Sequence, residues 1–589
     1  MFGGANASVL AVETATATAE RIAAALIAGF DRHYALLRAT STAAKERFEA
    51  ADWPGAQRAV RERIRFYDER VAEAVQLLRR EHADRLDEAT WQQAKHLYIG
   101  LLVDHKRPEL AETFFNSVTT RVLGRTYLTN DLLFVRPTIS TEWIESDPPN
   151  YRSYYPAVRG LRAALTRAFE DFRWSLPFAD LERDVEHVVR AFREHVDGAW
   201  PTAATNLQLQ VLGSAFYRNK AAYVVGKVVN GDEETPFAVP VLHDGDGRLE
   251  LDTILIGEEP ISILFSLSRA YFMVDMDVPS GYVAFLQTLM PGKPRSELYT
   301  AVGLGKQGKT LFFRDLLHHL HHSRDLFVEA PGTRGQVMHV FNLPSYPYVF
   351  KVIKDRFGPT KRTDRATVMR KFELVKDVDR VGRMVDATEF VNLALPRARF
   401  APELVEQLLE LAPSTVELDG EHVIVRHCYV ERRMTPLNMY LAAATPAQAA
   451  AAVRDYGNAI RELAIANVFP GDMLFRNFGL TRYGRVVFYD YDEIEVLTDC
   501  VFRALPEAPG PEAELAGEPW FGVGPLDVFP EEWRPFLLGD PVVREAFLAG
   551  HEDLLGPAFW QDAQRRVGEG EVVDFFPYPE SVRFRNRFG

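Results

Sequence analysis

One lysine in a strand-like run and three polar residues far downstream stand at intervals that few folds can satisfy. Lys351 lies in Tyr348-Val349-Phe350-Lys351-Val352-Ile353, Asp472 follows Gly471, and Asp490 closes Val486-Val487-Phe488-Tyr489-Asp490. Asn477 comes five positions after Asp472, and Asp490 thirteen after Asn477. Phosphoryl transfer needs these types: a cation on the phosphates, a carboxylate to orient the attacking hydroxyl, and oxygen ligands for Mg²⁺. The spacing matches the base, the metal-binding Asn and the metal-binding Asp of a protein-kinase site. A chain that uses them must bring a strand lysine and a distant loop to one cleft between two lobes.

The length of 589 residues exceeds one core, so at least two domains are expected. A formal charge of −14 argues against a general nucleic-acid partner. Cys428 and Cys500 cannot build a disulfide framework, which points to a reducing compartment. The first twenty residues hold no Lys or Arg and no long apolar run, so no secretory signal is expected. The most apolar stretch, Ile261 to Val274, contains Arg269 and is too short to span a bilayer. The expectation is a cytoplasmic protein with no membrane partner.

From about Ala11 to about Trp200, apolar residues recur at three and four spacing, which predicts helices. From about Ala221 to Ile263 the pattern becomes strand-like, with a turn at Asp244-Gly245-Asp246-Gly247. Helix returns near Leu311 to Asp325, and the domain boundary is placed near 325. Beyond it come the loop Ala330 to Gly335, alternating apolar residues around Val337-His339-Phe341, and the Lys351 strand. A charged helix is expected from about Ala366 to Met384. A strand at Val423-Ile424-Val425 leads to Tyr429–Arg433 as the inter-lobe hinge, and a long helix, about Ala447 to Ile465, precedes Asp472. The acidic, Pro-rich stretch Leu505 to Pro519 reads as an exposed loop, and no internal repeat is evident. The fold class is therefore α+β: a mainly helical domain with a small strand-containing region over 1–325, then a bilobal kinase-like domain over 326–589.

Lys351 lies sixteen residues after Gly335 and nineteen after Gly332, where a phosphate-covering glycine loop belongs. The loop is not the full G-x-G-x-x-G, His-Arg is missing before Asp472, and Phe-Gly is missing after Asp490, so the pattern is divergent. A competing motif, Gly303-Leu304-Gly305-Lys306-Gln307-Gly308-Lys309-Thr310, satisfies the Walker A pattern, with Val486–Asp490 as its Walker B strand. No alternating strand–helix order surrounds it, which favours the kinase reading. His318 and His322 have metal-ligand spacing on a helix, but a polar helix face is the simpler reading. Residues 351–383 carry eleven Lys/Arg against five Asp/Glu, which reads as a solvated face or a docking surface for an acidic protein. Glu373 in this helix is a candidate partner for Lys351. A non-catalytic nucleotide-sensing module is a third reading, and the intact set Lys351, Asp472, Asn477 and Asp490 argues against it.

Several stretches carry a closer resemblance: Ala330–Gly335, Tyr348–Asp355, Glu431-Arg432-Arg433-Met434 with Pro436-Leu437-Asn438, Gly471–Gly479 and Tyr489–Glu493. Together they resemble bacterial isocitrate dehydrogenase kinase/phosphatase over nearly the whole chain. The resemblance implies one bifunctional enzyme that uses ATP/ADP and Mg²⁺ (or Mn²⁺). It would phosphorylate and dephosphorylate a serine of the isocitrate dehydrogenase homodimer, setting flux between the citric acid cycle and the glyoxylate bypass. It also implies an N-terminal regulatory domain and AMP as allosteric effector. Carried over, the nucleotide loop falls on Ala330, Pro331, Gly332, Thr333, Arg334, Gly335 and Gln336, and the phosphate lysine on Lys351. The catalytic Asp falls on Asp472, the metal ligands on Asn477 and Asp490, and the phosphatase Asp on Asp386, with Asp492 a further carboxylate for hydrolysis. Glu431 marks the hinge that offers backbone groups to adenine. The chain's own assembly is left open, a homodimer included.

Overall fold

Two compact units divide the chain in this computed structural model: one runs to His322 and includes Phe576–Gly589, the other is Ser323–Phe575. The structure describes residues 3–82, 86–124, 131–196, 203–266, 271–332, 334–358, 361, 363–506 and 521–589, the side chains of 3–15 and 377 excepted.

In the first unit, helices Gly3–Glu49, Trp53–His82, Glu88–Leu102 and Pro108–Leu123 bring Phe30, Trp91, Tyr98, Phe114 and Phe115 into one core. Each fully buried Phe contributes about 1.5–3 kcal/mol. Asp87 starts the third of these helices by accepting from the Thr90 N–H at 2.7 Å, a cap of about 1 kcal/mol. An antiparallel sheet follows in the order Tyr151–Tyr154, Gln208–Leu212, Ala221–Asn230, Glu233–His243 and Leu249–Leu251. Ala222 and Val224 face the core beneath helices Leu161–Glu170 and Leu181–His195, whereas Tyr223 and Val225 face the helical core. Burial on both faces explains why this strand reads as a continuous apolar run. The turn at Asp244–Gly247 stands as expected, with Gly247 at φ +77°, a conformation that suits glycine.

Two strands depart from the expected pattern. Tyr151–Tyr154 lies inside the stretch expected to be helical, and Gln208–Leu212 precedes the expected strands. They pair with each other antiparallel, Tyr151 opposite Leu212, so their signal comes from a partner far along the chain.

In the second unit, an antiparallel sheet runs Thr388–Pro396, His422–Arg432, Tyr348–Ile353, Met338–Asn342 and Val328–Glu329, with Val416–Asp419 also on His422–Arg432. Helix Arg365–Val378 lays Phe372 against Tyr429 at 3.9 Å between ring centroids and against Tyr491 at 5.1 Å. This helix ends earlier than the expected Met384. Asp379 Oδ1 accepts from the N–H groups of Val381 and Gly382, and Gly382 at φ +72° turns the chain. Helix Pro446–Ile465 opens with a reciprocal cap between Thr445 and Gln448 and buries Tyr456. Beside it lies a small sheet of Thr435–Pro436, Phe478–Leu480 and Val486–Phe488. The Leu505–Pro519 stretch falls almost wholly outside the described residues.

Candidate active site

The second unit gathers most of the residues singled out from sequence. Lys351 pairs with Val340 on one side and Tyr429 on the other, and Glu431 stands opposite Val349. Lys351 and Glu431 are thus diagonal neighbours on one face of the sheet. Lys351 Nζ lies 2.6 Å from Glu431 Oε2, donates to the Tyr489 carbonyl at 2.8 Å, and sits 5.1 Å from the centre of the Tyr489 ring. Tyr489 N donates to Asn477 O at 3.2 Å. One residue, Tyr489, therefore joins the strand lysine, the Asn477 turn and the neighbouring Asp490.

Glu431 corrects one expectation and adds to another. The Lys351 partner is Glu431 and not Glu373, which is exposed on its helix. Glu431 also lies within strand His422–Arg432 and turns its side chain inward, so it does more than mark a hinge. Burial pushes its carboxyl up, Lys351 pulls it back down, and the nearby Asp386 pushes it up again.

The segment Arg383–Asp386 is clamped beside the strand that leads to Asp490. Phe488 N donates to Arg383 O at 2.7 Å, Val385 N to Phe488 O at 3.1 Å, and the Tyr491 hydroxyl to Val385 O at 2.5 Å. The Arg383 guanidinium, buried at 4% exposure, contacts Asp455 at 2.8 and 2.9 Å, Glu462 at 2.5 and 2.9 Å, and Val486 O at 2.8 Å. Asp386 is thereby delivered to the same region as Glu431.

Asp472 sits in a loop fixed at both ends. Gly471 takes φ +78°, and a Cβ there would stand 2.4 Å from Glu493 O. The Tyr456 hydroxyl donates to Met473 O at 2.5 Å, and Asn477 Nδ2 to Asp472 O at 3.3 Å. Burial raises the Asp472 carboxyl above its usual range, although hydrogen bonding to Leu474 N works against it. Asp490 is pushed up to about 7, by burial first and then by Asp492, to which it is hydrogen-bonded. Asp490 and Asp492 together present an oxygen-rich position suited to a hard divalent cation. Among the described residues no cluster of three His, Cys, Asp or Glu could hold a metal alone. A cation held by Asn477 and Asp490 would be completed by nucleotide phosphates, as is usual for Mg²⁺.

The glycine loop joins strands Val328–Glu329 and Met338–Asn342. Ala330 N bonds Val340 O at 2.9 Å, and Lys354 Nζ bonds Gly335 O at 2.7 Å. Gly332 takes φ +128°, and Arg334 reaches Glu329 at 2.7 Å. Pro331 and Gln336 belong to the same turn, whereas Thr333 lies outside the described residues.

The Walker-like segment is no P-loop. It joins helix Arg295–Ala301 to helix Gly305–His322, with no strand before it. Gly308 permits the two helices to touch, since a Cβ would stand 2.2 Å from Thr300 Oγ1. Thr310 Oγ1 is bonded to Lys306 O at 3.2 Å and Thr113 Oγ1 at 3.0 Å. The histidine pair settles into the helix end: the His318 and His322 rings stack at 4.0 Å and His322 Nδ1 meets His318 O at 2.8 Å. Part of the basic stretch is engaged in internal pairs, including Lys371 with Glu495 at 2.9 Å and Lys376 with Glu389 at 3.2 Å. Arg356 and Arg370 stay exposed, and Arg362 lies outside the described residues. Sequence reasoning also missed Arg383 and Lys361, because neither sits in a motif and only the folded register reveals their partners.

Comparison with known proteins gives two adjoining matches. Residues 23–324 match the isocitrate dehydrogenase kinase/phosphatase (AceK) regulatory domain, and residues 325–580 the kinase domain of the same family. Proteins named isocitrate dehydrogenase kinase/phosphatase are similar along nearly their whole length. That of Aromatoleum aromaticum is 62% identical, covering 96% of each chain, and that of Azoarcus sp. is 61% identical, covering 97% of each. That of Dechloromonas aromatica is 59% identical, covering 97% of each.

Proposed function

Because the chain belongs to the isocitrate dehydrogenase kinase/phosphatase family, we propose that it phosphorylates and dephosphorylates a serine of isocitrate dehydrogenase at one nucleotide site in its second unit. The observation that carries this reading is the link through Tyr489, which ties Lys351 to the turn bearing Asn477 and to Asp490. A divalent cation bound there supplies charge stabilisation at the phosphates. Lys351, oriented by Glu431, holds the phosphates of ATP. Asp472 orients the serine hydroxyl and accepts its proton, and its raised pKa makes it a better base than an exposed carboxylate. Asn477 and Asp490 hold the metal. In the reverse direction Asp386, fixed by the Arg383 clamp, orients and deprotonates water, with Asp492 a further carboxylate near the metal. Positioning and fixed charge supply most of the acceleration.

The glycine loop Ala330–Gln336 covers the phosphates, and the backbone of the strand end near Glu431 meets adenine. AMP is read as an allosteric effector of the chain, whose residues 23–324 match the family's regulatory domain. Two buried free cysteines support a reducing, cytoplasmic setting, and among the described residues no helix is long and apolar enough to cross a membrane. The substrate is read as the dehydrogenase homodimer, and the outcome as control of flux into the glyoxylate bypass.

Incubating the full chain with γ-labelled ATP, a divalent cation and isocitrate dehydrogenase tests the reading. Label should enter a dehydrogenase serine, then leave when ATP is exchanged for ADP. Labelling of no dehydrogenase residue would overturn it.

A further inference from the structure

The turn after the Lys351 strand carries a second lysine that no step above uses. Lys361 Nζ lies 2.8 Å from Asp492 Oδ2 and 2.5 Å from Glu493 Oε1. Its N–H donates to Gly358 O at 3.0 Å, and Gly358 N donates to Gln336 O at 3.2 Å. A Cβ on Gly358 would stand 2.6 Å from Gln336 Oε1, so the turn is seated closely on the end of the glycine loop. Loop, turn and acidic segment are thus continuous through direct contacts. Asp490 and Asp492 share a hydrogen bond but differ in their partners: Lys361 contacts Asp492 directly and influences Asp490 only through space.

We propose that Lys361 is a positioning residue that reserves Asp492 for the hydrolytic direction and leaves Asp490 as the carboxylate ligand of the metal. A carboxylate oxygen already bonded to an ammonium is a poor second ligand, because two cations would then share one oxygen at close range. The same bond, Lys361 Nζ donating to Asp492 Oδ2 at 2.8 Å, fixes the orientation of that carboxylate. The helix beside this turn meets the acidic segment in the same sense, through Lys371 and Glu495 at 2.9 Å. Basic residues on the helical side and acidic residues opposite hold these parts together, in place of a helix glutamate on Lys351. This assignment rests on the two-direction reading above.

The test compares full-length wild type with Lys361→Met, Lys361→Arg and Lys371→Met. Mn²⁺ binding is measured by electron paramagnetic resonance with a saturating non-hydrolysable ATP analogue. Removing a positive charge beside the carboxylate pair should tighten Mn²⁺ binding about tenfold in Lys361→Met. Lys361→Arg and Lys371→Met should resemble wild type. In the same preparations the phosphatase-to-kinase ratio should fall about tenfold in Lys361→Met only. Unchanged Mn²⁺ affinity in Lys361→Met, or an equal change in Lys371→Met, would overturn the assignment. A wild type that performs neither reaction would remove the two-direction reading, whereas the Mn²⁺ shift would still support Lys361 as the group competing for Asp492.

Discussion

Replacing Arg383 by Met removes the guanidinium that neutralises Asp455 and Glu462 in the interior of the second unit. Breaking a buried ion pair from one side costs about 3–5 kcal/mol, because the remaining charge loses its partner. Two contacts survive here: Arg485 stays 3.4 Å from Glu462, and Val486 N still donates to Asp455 at 2.6 Å. The expected cost is therefore at the lower end, about 3 kcal/mol. Burial disfavours the charge on Asp455, but Arg383 first, then the Val486 N–H, hold its carboxyl below the usual value. A depressed carboxylate contributes fully above its unfolded pKa of about 3.9 and loses the contribution as pH falls through the folded value. At pH 7 the whole effect should be visible. Hydrogen exchange of the Val486–Phe488 amides in the full chain reads the opening of this unit alone. A loss of about 3 kcal/mol accelerates it by about a hundredfold. Adding Asp455→Asn and Glu462→Gln to Arg383→Met should recover part of that, since the two stranded carboxylates are removed and only Arg485 is left without its carboxylate partner. Acceleration below about threefold, or a triple variant no better than the single one, would refute the reasoning.

Asp386→Ala should lower phosphatase activity far more than kinase activity, measured on phosphorylated and unphosphorylated dehydrogenase; equal losses would reject its assigned role. Because Asp490 is pushed up to about 7, it must release its proton to hold a cation. Mn²⁺ affinity should therefore rise as pH approaches about 7 and level off above it, with proton release seen by calorimetry in buffers of different ionisation enthalpy; pH-independent affinity would contradict this. Gly471→Ala would place a Cβ 2.4 Å from Glu493 O at a positive φ. It should destabilise the Asp472 loop by at least about 1–3 kcal/mol and depress both activities, read by exchange of the loop amides and by turnover.

Lys351, Asp472, Asn477 and Asp490 were legible because each sits in a local pattern: a strand, a glycine-led loop, a strand end. The long helix before Asp472 was legible from its apolar spacing, and the Asp244–Gly247 turn from its glycines. Partners were not legible. The Lys351–Glu431 bond depends on strand register, and a shift of one residue would send Glu431 to the other face. Glu373 looked suitable only because its helix was known and its rotation was not. Tyr151–Tyr154 is four residues long, and its strand character comes from Gln208–Leu212. Arg383 reads as one basic residue among many until the turn at Gly382 aims it at two acidic side chains of a distant helix. The Walker-like octet shows the opposite failure: a complete local pattern whose surroundings are two packed helices.

The most direct measurement of the central claim is ATP binding and transfer of label to isocitrate dehydrogenase by Lys351→Met and Lys309→Met, side by side with wild type. Lys351→Met should lose both, and Lys309→Met should keep both. Retention by Lys351→Met together with loss in Lys309→Met would contradict the account.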